Sequence, residues 1–126
     1  MWAAMEGRKE AFEMLIQLGA DVAATDDDGM TAFIWAAYTG QTGSITALFQ
    51  AGANVNAQDM YKYTALIWAV RKGNEEVVQC VLSCKPDTTL KNFRNMDALD
   101  YAIRKKLSFI ADFIAVAQSS AKQQAT

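Results

Sequence analysis

Histidine is missing from all 126 residues of the sequence. It is the commonest general base, the commonest zinc ligand and the usual partner of a catalytic serine or cysteine. Its absence excludes those three arrangements and leaves only carboxylate or lysine chemistry for a catalytic site. We therefore expect a protein that is not an enzyme and that holds no metal ion and no cofactor.

The chain also lacks a large net charge and a long apolar stretch. The net charge is −2 at pH 7, so the molecule as a whole does not attract nucleic acid or an anionic membrane. No stretch approaches the roughly 20 apolar residues of a transmembrane helix, and no signal-peptide pattern is present. We expect no nucleic-acid partner and no membrane insertion.

Cysteine is scarce, with two residues in the chain. Two thiols without a disulfide pattern favour a reducing compartment, so we expect a cytoplasmic or nuclear protein. Cys80 and Cys84 cannot complete a four-ligand zinc site without a histidine or a second cysteine pair. We expect Cys80 to be buried and Cys84 to lie near the surface, with redox sensing as the alternative role.

What the sequence does contain is a repeat with a period of 33 residues. The segment TAFIWAA at 31–37 returns as TALIWAV at 64–70, and more weakly as DALDYAI at 97–103. The segment GADV at 19–22 returns as GANV at 52–55. Self-similarity at such a period indicates a stacked array of small structural units.

Each unit predicts two helices. Apolar residues at helical spacing predict one buried face on the first helix, and a second apolar set predicts a further helix behind it. The hydroxyls of Thr31 and Thr64 and the carboxylate of Asp97 can cap the first helices, while Gly52 and Pro86 end the second ones. The expected buried positions are Phe33, Ala36, Ala37, Leu66, Ala69, Val70, Leu99, Ala102 and Ile103 on first helices, and Ile45, Leu48, Phe49, Val78, Val81 and Leu82 on second helices.

Two motifs, DDDGMTAFIWAAYTG at 26–40 and GANVNAQD at 52–59, resemble the ankyrin repeat. The resemblance extends from residue 1 to about residue 117. It implies an all-α solenoid of antiparallel helix pairs joined by β-hairpin-like fingers. The implied repeats are 1–25 (partial), 26–58, 59–91 and 92–117, and the polar residues 118–126 are expected to form a disordered tail.

The chain departs from the family pattern at two positions in every repeat. The family's proline is replaced by Ala32, Ala65 and Ala98, and its histidine by Ile34, Ile67 and Asp100. In the family, that histidine ties the start of the helix to the preceding turn. We expect this hydrogen bond to be replaced or lost here.

The three aspartates at 26–28 have two readings, a calcium loop or a polar turn. In a calcium loop with Gly29 at position 6, Ala24 would stand at position 1 and Trp35 at position 12, and neither is a ligand. We expect Asp26 to hydrogen-bond its own turn and Gly29 to adopt a backbone angle that suits glycine. Asp27 and Asp28 are then expected to face solvent.

Residues in the same register of a stacked array form lines across the molecule, and the resemblance implies protein binding on the concave side made by fingers and first helices. Trp, Tyr and Arg are enriched in binding hot spots. Whether Trp35, Trp68 and Tyr101 pack between repeats or contact a partner stays open. Contact with a partner is favoured for Tyr61, Tyr63, Phe93 and Arg71. The predicted partner-binding residues are Trp35, Tyr38, Tyr61, Tyr63, Trp68, Arg71, Lys72, Phe93, Arg94, Tyr101, Arg104 and Lys105.

The expected function is a scaffold or adaptor that binds a protein or peptide on this surface. Charge changes from acidic at the first finger to basic in the last repeats, so we expect acidic partner residues to face repeats 3 and 4. The alternatives are a regulatory ligand- or partner-sensing domain of a larger enzyme, channel or multi-repeat protein, and a structural spacer. The partial first unit and the apolar last helix, 107–117, also leave open further repeats or end-to-end self-association.

Overall fold

The computed structural model describes residues 25–124, with side chains described through residue 119, and these residues form six helices. The partial repeat predicted for 1–25 lies outside the described residues, apart from residue 25. The helices are α1 (Ala32–Thr39), α2 (Thr42–Gln50), α3 (Ala65–Lys72), α4 (Glu75–Ser83), α5 (Ala98–Arg104) and α6 (Ser108–Gln124).

The helices form two layers. The pairs α1–α2, α3–α4 and α5–α6 are the successive units, and their first helices pack side by side in the order α1, α3, α5. Their second helices pack in the order α2, α4, α6. The most deeply buried large side chains come from both layers: Phe33, Ile34, Ile45, Leu48, Leu66, Ile67, Val70, Val77, Val78, Val81, Ile110 and Ile114. One continuous core therefore joins the units, as expected for a stacked array.

The first helix of each unit is capped at its N-terminus by the side chain that the sequence predicts. Thr31 and Thr64 have extended backbones, and their hydroxyls accept hydrogen bonds from the amides of the third helical residues at 3.2 and 3.1 Å. Asp97 accepts from the Asp100 amide at 2.9 Å, and the Asp100 carboxylate accepts from the Asp97 amide at 3.0 Å. This reciprocal capping box uses an aspartate that stands where the family has histidine.

The fingers are tight turns at residues 26–30, 59–63 and 92–96. In each turn the first residue's amide donates to the fifth residue's carbonyl at 3.0–3.1 Å. One backbone hydrogen bond joins successive fingers, from Met60 to Asp28 and from Phe93 to Tyr61, each 3.0 Å long. No β-strand occurs between residues 25 and 124, so the predicted β-hairpin character of the fingers is not confirmed there.

The burial of the two cysteines is the reverse of the prediction. Cys84 is 5% exposed, whereas Cys80 is only half-buried. Cys80 lies in contact with the neighbouring unit, where its thiol is 3.6 Å from the Thr42 carbonyl oxygen. Cys84 follows the last residue of α4 and turns into the core, and this burial raises the pKa of its thiol.

Three other predictions need correction. Phe49 is 44% exposed because Leu48 already occupies the inward face of α2. Ile103 is 63% exposed because, within the described residues, no first helix follows α5, whereas α3 is covered by α5. Residues 118–124 continue α6 and do not form the disordered tail that was expected, since serine, alanine, lysine and glutamine are all compatible with a helix.

Candidate functional site

The aspartate triplet is a turn in which Asp26 hydrogen-bonds this chain. Its Oδ1 accepts from the amides of Asp28 and Met30 at 2.9 and 3.0 Å, and its Oδ2 accepts from the indole N–H of Trp35 at 2.9 Å. Gly29 has a φ of 75°, a value that favours glycine. The predicted turn is therefore confirmed, and Asp27 and Asp28 are exposed.

The same arrangement recurs one period later. Asp59 accepts from the amides of Tyr61 and Tyr63 at 2.9 Å through Oδ1, and from the indole N–H of Trp68 at 3.0 Å through Oδ2. We call this bond between a finger residue and the aromatic residue nine positions later a finger latch. It links the finger to the first helix, which is the link that the family's histidine normally supplies.

The third finger latch also joins the finger to the first helix, but its donor and acceptor are exchanged. Asn92 accepts from the amides of Arg94 and Met96 through Oδ1, while its side-chain N–H donates to the Tyr101 hydroxyl at 2.7 Å. A carboxylate thus pairs with an indole donor, and an amide donor pairs with a hydroxyl acceptor. These bonds were not predicted, although the spacing of nine residues between the two partners is constant in all three units of the sequence.

The aromatic side chains form a row across the units. Ring centroids lie 5.4 Å apart for Trp35 and Tyr38, 5.0 Å for Tyr38 and Trp68, and 4.7 Å for Trp68 and Tyr63. Tyr63 is also 6.4 Å from Tyr101. These separations are typical of favourable aromatic pairs. Packing between repeats is therefore confirmed for Trp68, through Tyr38, and for Tyr101, through Tyr63, whereas Trp35 contacts a ring of its own helix. Contact of these aromatic side chains with a partner stays a prediction.

Two adjoining grooves run over this row. The basic groove has a volume of about 680 Å³ and is lined by Tyr38, Tyr63, Trp68, Arg71, Lys72, Arg94, Tyr101, Arg104 and Lys105. The finger groove has a volume of about 490 Å³ and is lined by Asp28, Met30, Trp35, Tyr38, Asp59, Tyr61, Tyr63, Trp68, Arg71, Phe93 and Arg94. All twelve predicted partner-binding residues line one groove or the other. The finger groove is also lined by Asp28, Met30 and Asp59, which were not among the predicted partner-binding residues.

Burial divides these residues into a floor and a rim. Tyr63 and Tyr101 are 6% and 7% exposed, so they form the floor, and little of the Tyr63 surface is left to contact a partner. The stacked aromatic row covers Tyr63. Tyr61 and Phe93 are 51% and 55% exposed and stand on the rim, their ring centroids 5.7 Å apart.

Cationic side chains lie over the rings of the aromatic row. The guanidinium carbon of Arg71 lies 5.2 Å from the ring centroid of Tyr63 and 5.1 Å from that of Trp68. Lys72 Nζ lies 4.2 Å from the ring of Tyr38, and the Lys105 ammonium donates to the Arg71 carbonyl. Such contacts stabilise cations at a surface.

The buried phenol of Tyr63 carries no charge at neutral pH. Burial, and next the hydrogen bond to the Tyr101 hydroxyl, raise the pKa of Tyr63 above the usual tyrosine value. The phenol therefore stays protonated, and the cationic side chains set the charge of the basic groove.

Between residues 25 and 124, no helix is both long enough and apolar enough to cross a membrane. The same part of the chain brings together no group of three acidic, cysteine or histidine side chains that could hold a metal ion.

Comparison with known proteins identifies a family. The family model described as ankyrin repeats, in three copies, matches residues 1–92. No curated protein matches the chain. Ankyrin repeats are generally modules for protein–protein interaction and are typically not enzymes. Since the match spans most of the sequence and agrees with the stacked helix pairs, this chain belongs to the ankyrin repeat family.

Proposed function

We propose that this protein is a non-catalytic adaptor that binds an extended segment of another protein across the basic groove and the finger groove. The observation that supports this most strongly is the collection of aromatic and cationic side chains from three successive units around two adjoining grooves. A surface built in this way matches the composition of interface hot spots, which are rich in tryptophan, tyrosine and arginine.

The exposed rim offers apolar anchors for such a segment. Met60, Tyr61 and Phe93 are 57%, 51% and 55% exposed, and they belong to adjacent fingers joined by a backbone hydrogen bond. Apolar residues of a partner gain binding free energy by covering them. The aromatic row beneath is already packed in the absence of a partner. Its side chains therefore lose little conformational entropy when a partner binds.

Charge gives the bound segment a direction. The first finger exposes Asp27 and Asp28, whereas Arg94, Arg104 and Lys105 belong to the last unit. Acidic partner residues would therefore lie over the last two units, because opposite charges attract there and like charges repel at the first finger.

Display of random, unphosphorylated peptides on phage tests the proposal. We expect selected peptides to be rich in aspartate and glutamate near an apolar residue. Arg71→Glu, Arg94→Glu and Arg104→Glu should each weaken binding by about tenfold or more, because each reverses a charge in the groove. Lys91→Glu is the matched control, since Lys91 is exposed and lines neither groove.

Circular dichroism and thermal unfolding of each variant show whether the fold is retained. The proposal is rejected if well-folded groove variants bind the selected peptides as tightly as the parent protein. It is also rejected if Lys91→Glu has the same effect as the groove variants, because attraction would then reflect overall charge and not a site.

A further inference from the structure

The basic groove is made of only two kinds of residue. Five of its nine lining residues are cations and four are aromatic, and none of the nine is acidic. The whole chain has twelve lysines and arginines and a net charge of −2, so nearly half of its cations surround one groove. Such a concentration of positive charge around aromatic rings requires a specific explanation.

The central cation is held in place before any ligand binds. The Arg71 guanidinium lies over three rings at once, with its carbon 5.2, 5.1 and 5.8 Å from the centroids of Tyr63, Trp68 and Tyr101. Lys105, from the next unit, donates to the carbonyl of Arg71. An arginine stacked in this way loses less side-chain freedom on binding an anion than a freely moving lysine does.

We propose that the basic groove takes the side chain of a phosphotyrosine in the bound segment, an inference that rests on the proposed function. A phosphate ester carries a charge of about −1.5 to −2 at neutral pH and three acceptor oxygens, which suits several cations better than a single carboxylate does. Arginine binds phosphate oxygens through two parallel N–H groups. The phenyl ring of the ligand contacts the parts of Tyr38 and Trp68 that the Lys72 and Arg71 cations leave exposed.

A nucleic acid fits this surface less well. The finger groove adjoins the basic groove and is lined by Asp28 and Asp59, and the exposed Asp27 lies beside Asp28 in the same finger. A chain of phosphates leaving the basic groove in that direction would meet carboxylates, whereas nucleic-acid surfaces continue their positive charge along the backbone. One localised dianion next to apolar residues avoids this repulsion.

Titration of the ¹⁵N-labelled full chain with small probes tests the inference by NMR. The probes are phenyl phosphate, inorganic phosphate, phenylacetate and a ten-nucleotide oligothymidylate. We expect phenyl phosphate to shift the backbone amides of Arg71, Lys72 and Arg104. We expect it to bind about tenfold more tightly than inorganic phosphate, which lacks the ring, and than phenylacetate, which lacks the second charge.

Variants locate the site. Arg104→Gln should weaken phenyl phosphate about tenfold, because it removes an exposed guanidinium from the groove, whereas Lys91→Gln outside the groove should leave binding unchanged. Equal affinity for phenyl phosphate and phenylacetate overturns the inference, as does tighter binding of the oligothymidylate. If the unphosphorylated displayed peptides still bind the groove in that case, the proposed function survives and only the phosphotyrosine inference falls.

Discussion

One residue near the start of each finger decides how that finger is attached to the helix behind it. Asp59 satisfies two backbone amides with one oxygen and the indole of Trp68 with the other, although it is only 7% exposed. A buried carboxylate is tolerated only when its oxygens are hydrogen-bonded. In the last unit, Asn92 and Tyr101 achieve the same attachment with donor and acceptor exchanged.

A double-mutant cycle at the second finger latch tests this account. Asp59→Asn alone should destabilise the protein by about 1–3 kcal/mol, because two N–H donors then face each other. Asp59→Asn with Trp68→Tyr should recover about 1 kcal/mol relative to the sum of the single changes, since it installs the pair that Asn92 and Tyr101 form. Urea denaturation of all four proteins measures the coupling. Strict additivity would show that the finger latch contributes nothing beyond packing.

At the scale of the element, each unit needs left-handed backbone at fixed positions, and the chain does not always supply glycine there. Gly40 and Gly73 end α1 and α3 with φ values of 80° and 71°, and Lys106 stands at the equivalent position after α5 with a φ of 59°. Lys62 and Asn95 similarly occupy the register of Gly29 in the finger turns, with φ values of 65° and 62°. The repeat geometry therefore overrides the local preference of these residues.

Lys106→Gly should stabilise the protein by roughly 0.5–1 kcal/mol. The left-handed conformation costs a lysine about 1–2 kcal/mol, and glycine removes this cost. Part of the gain in stability is lost because glycine makes the unfolded chain more flexible. Lys91→Gly is the matched control, because φ at Lys91 is not positive, and it should lower stability. Chemical denaturation compares the two variants. A loss of stability in Lys106→Gly equal to that in Lys91→Gly would contradict the explanation.

At the scale of the whole molecule, the described end of the stack carries uncovered apolar surface. Ile103 and Phe109, in the last described unit, are 63% and 67% exposed, whereas Val70, one period before Ile103, is fully buried. Exposed large apolar residues mark interaction sites when they lie together. Further repeats or a second copy of the chain would cover this face of the stack.

We expect end-to-end association of this chain through that face. The mass measured by light scattering should rise with protein concentration, and the double change Ile103→Gln and Phe109→Gln should keep the protein monomeric by lowering the apolar area available for burial. Phe93→Gln removes a similarly exposed ring from the finger groove and should leave the mass unchanged. A constant monomer mass for the parent protein at every concentration would exclude self-association.

Much of this architecture was accessible from the sequence because it depends on local interactions. The caps at Thr31, Thr64 and Asp97 and the turn at Asp26 each involve residues a few positions apart, so their hydrogen bonds follow from residue type and spacing. The 33-residue period then places equivalent positions of successive units side by side, and the twelve predicted residues accordingly line two adjoining grooves.

Which side chains are buried, and which rings a cation contacts, depends on how the units pack against one another. The burial of Tyr63, the inward turn of Cys84 and the exposure of Phe49 depend on neighbouring units, which no local pattern encodes. The packing of the Arg71 guanidinium against three rings likewise requires helices from different units to meet. Burial and electrostatics are sums over contacts between residues distant in sequence, so they require the folded stack. Caps and turns are properties of short segments, and the repeat is visible when such segments are compared, so residue type and spacing determine them.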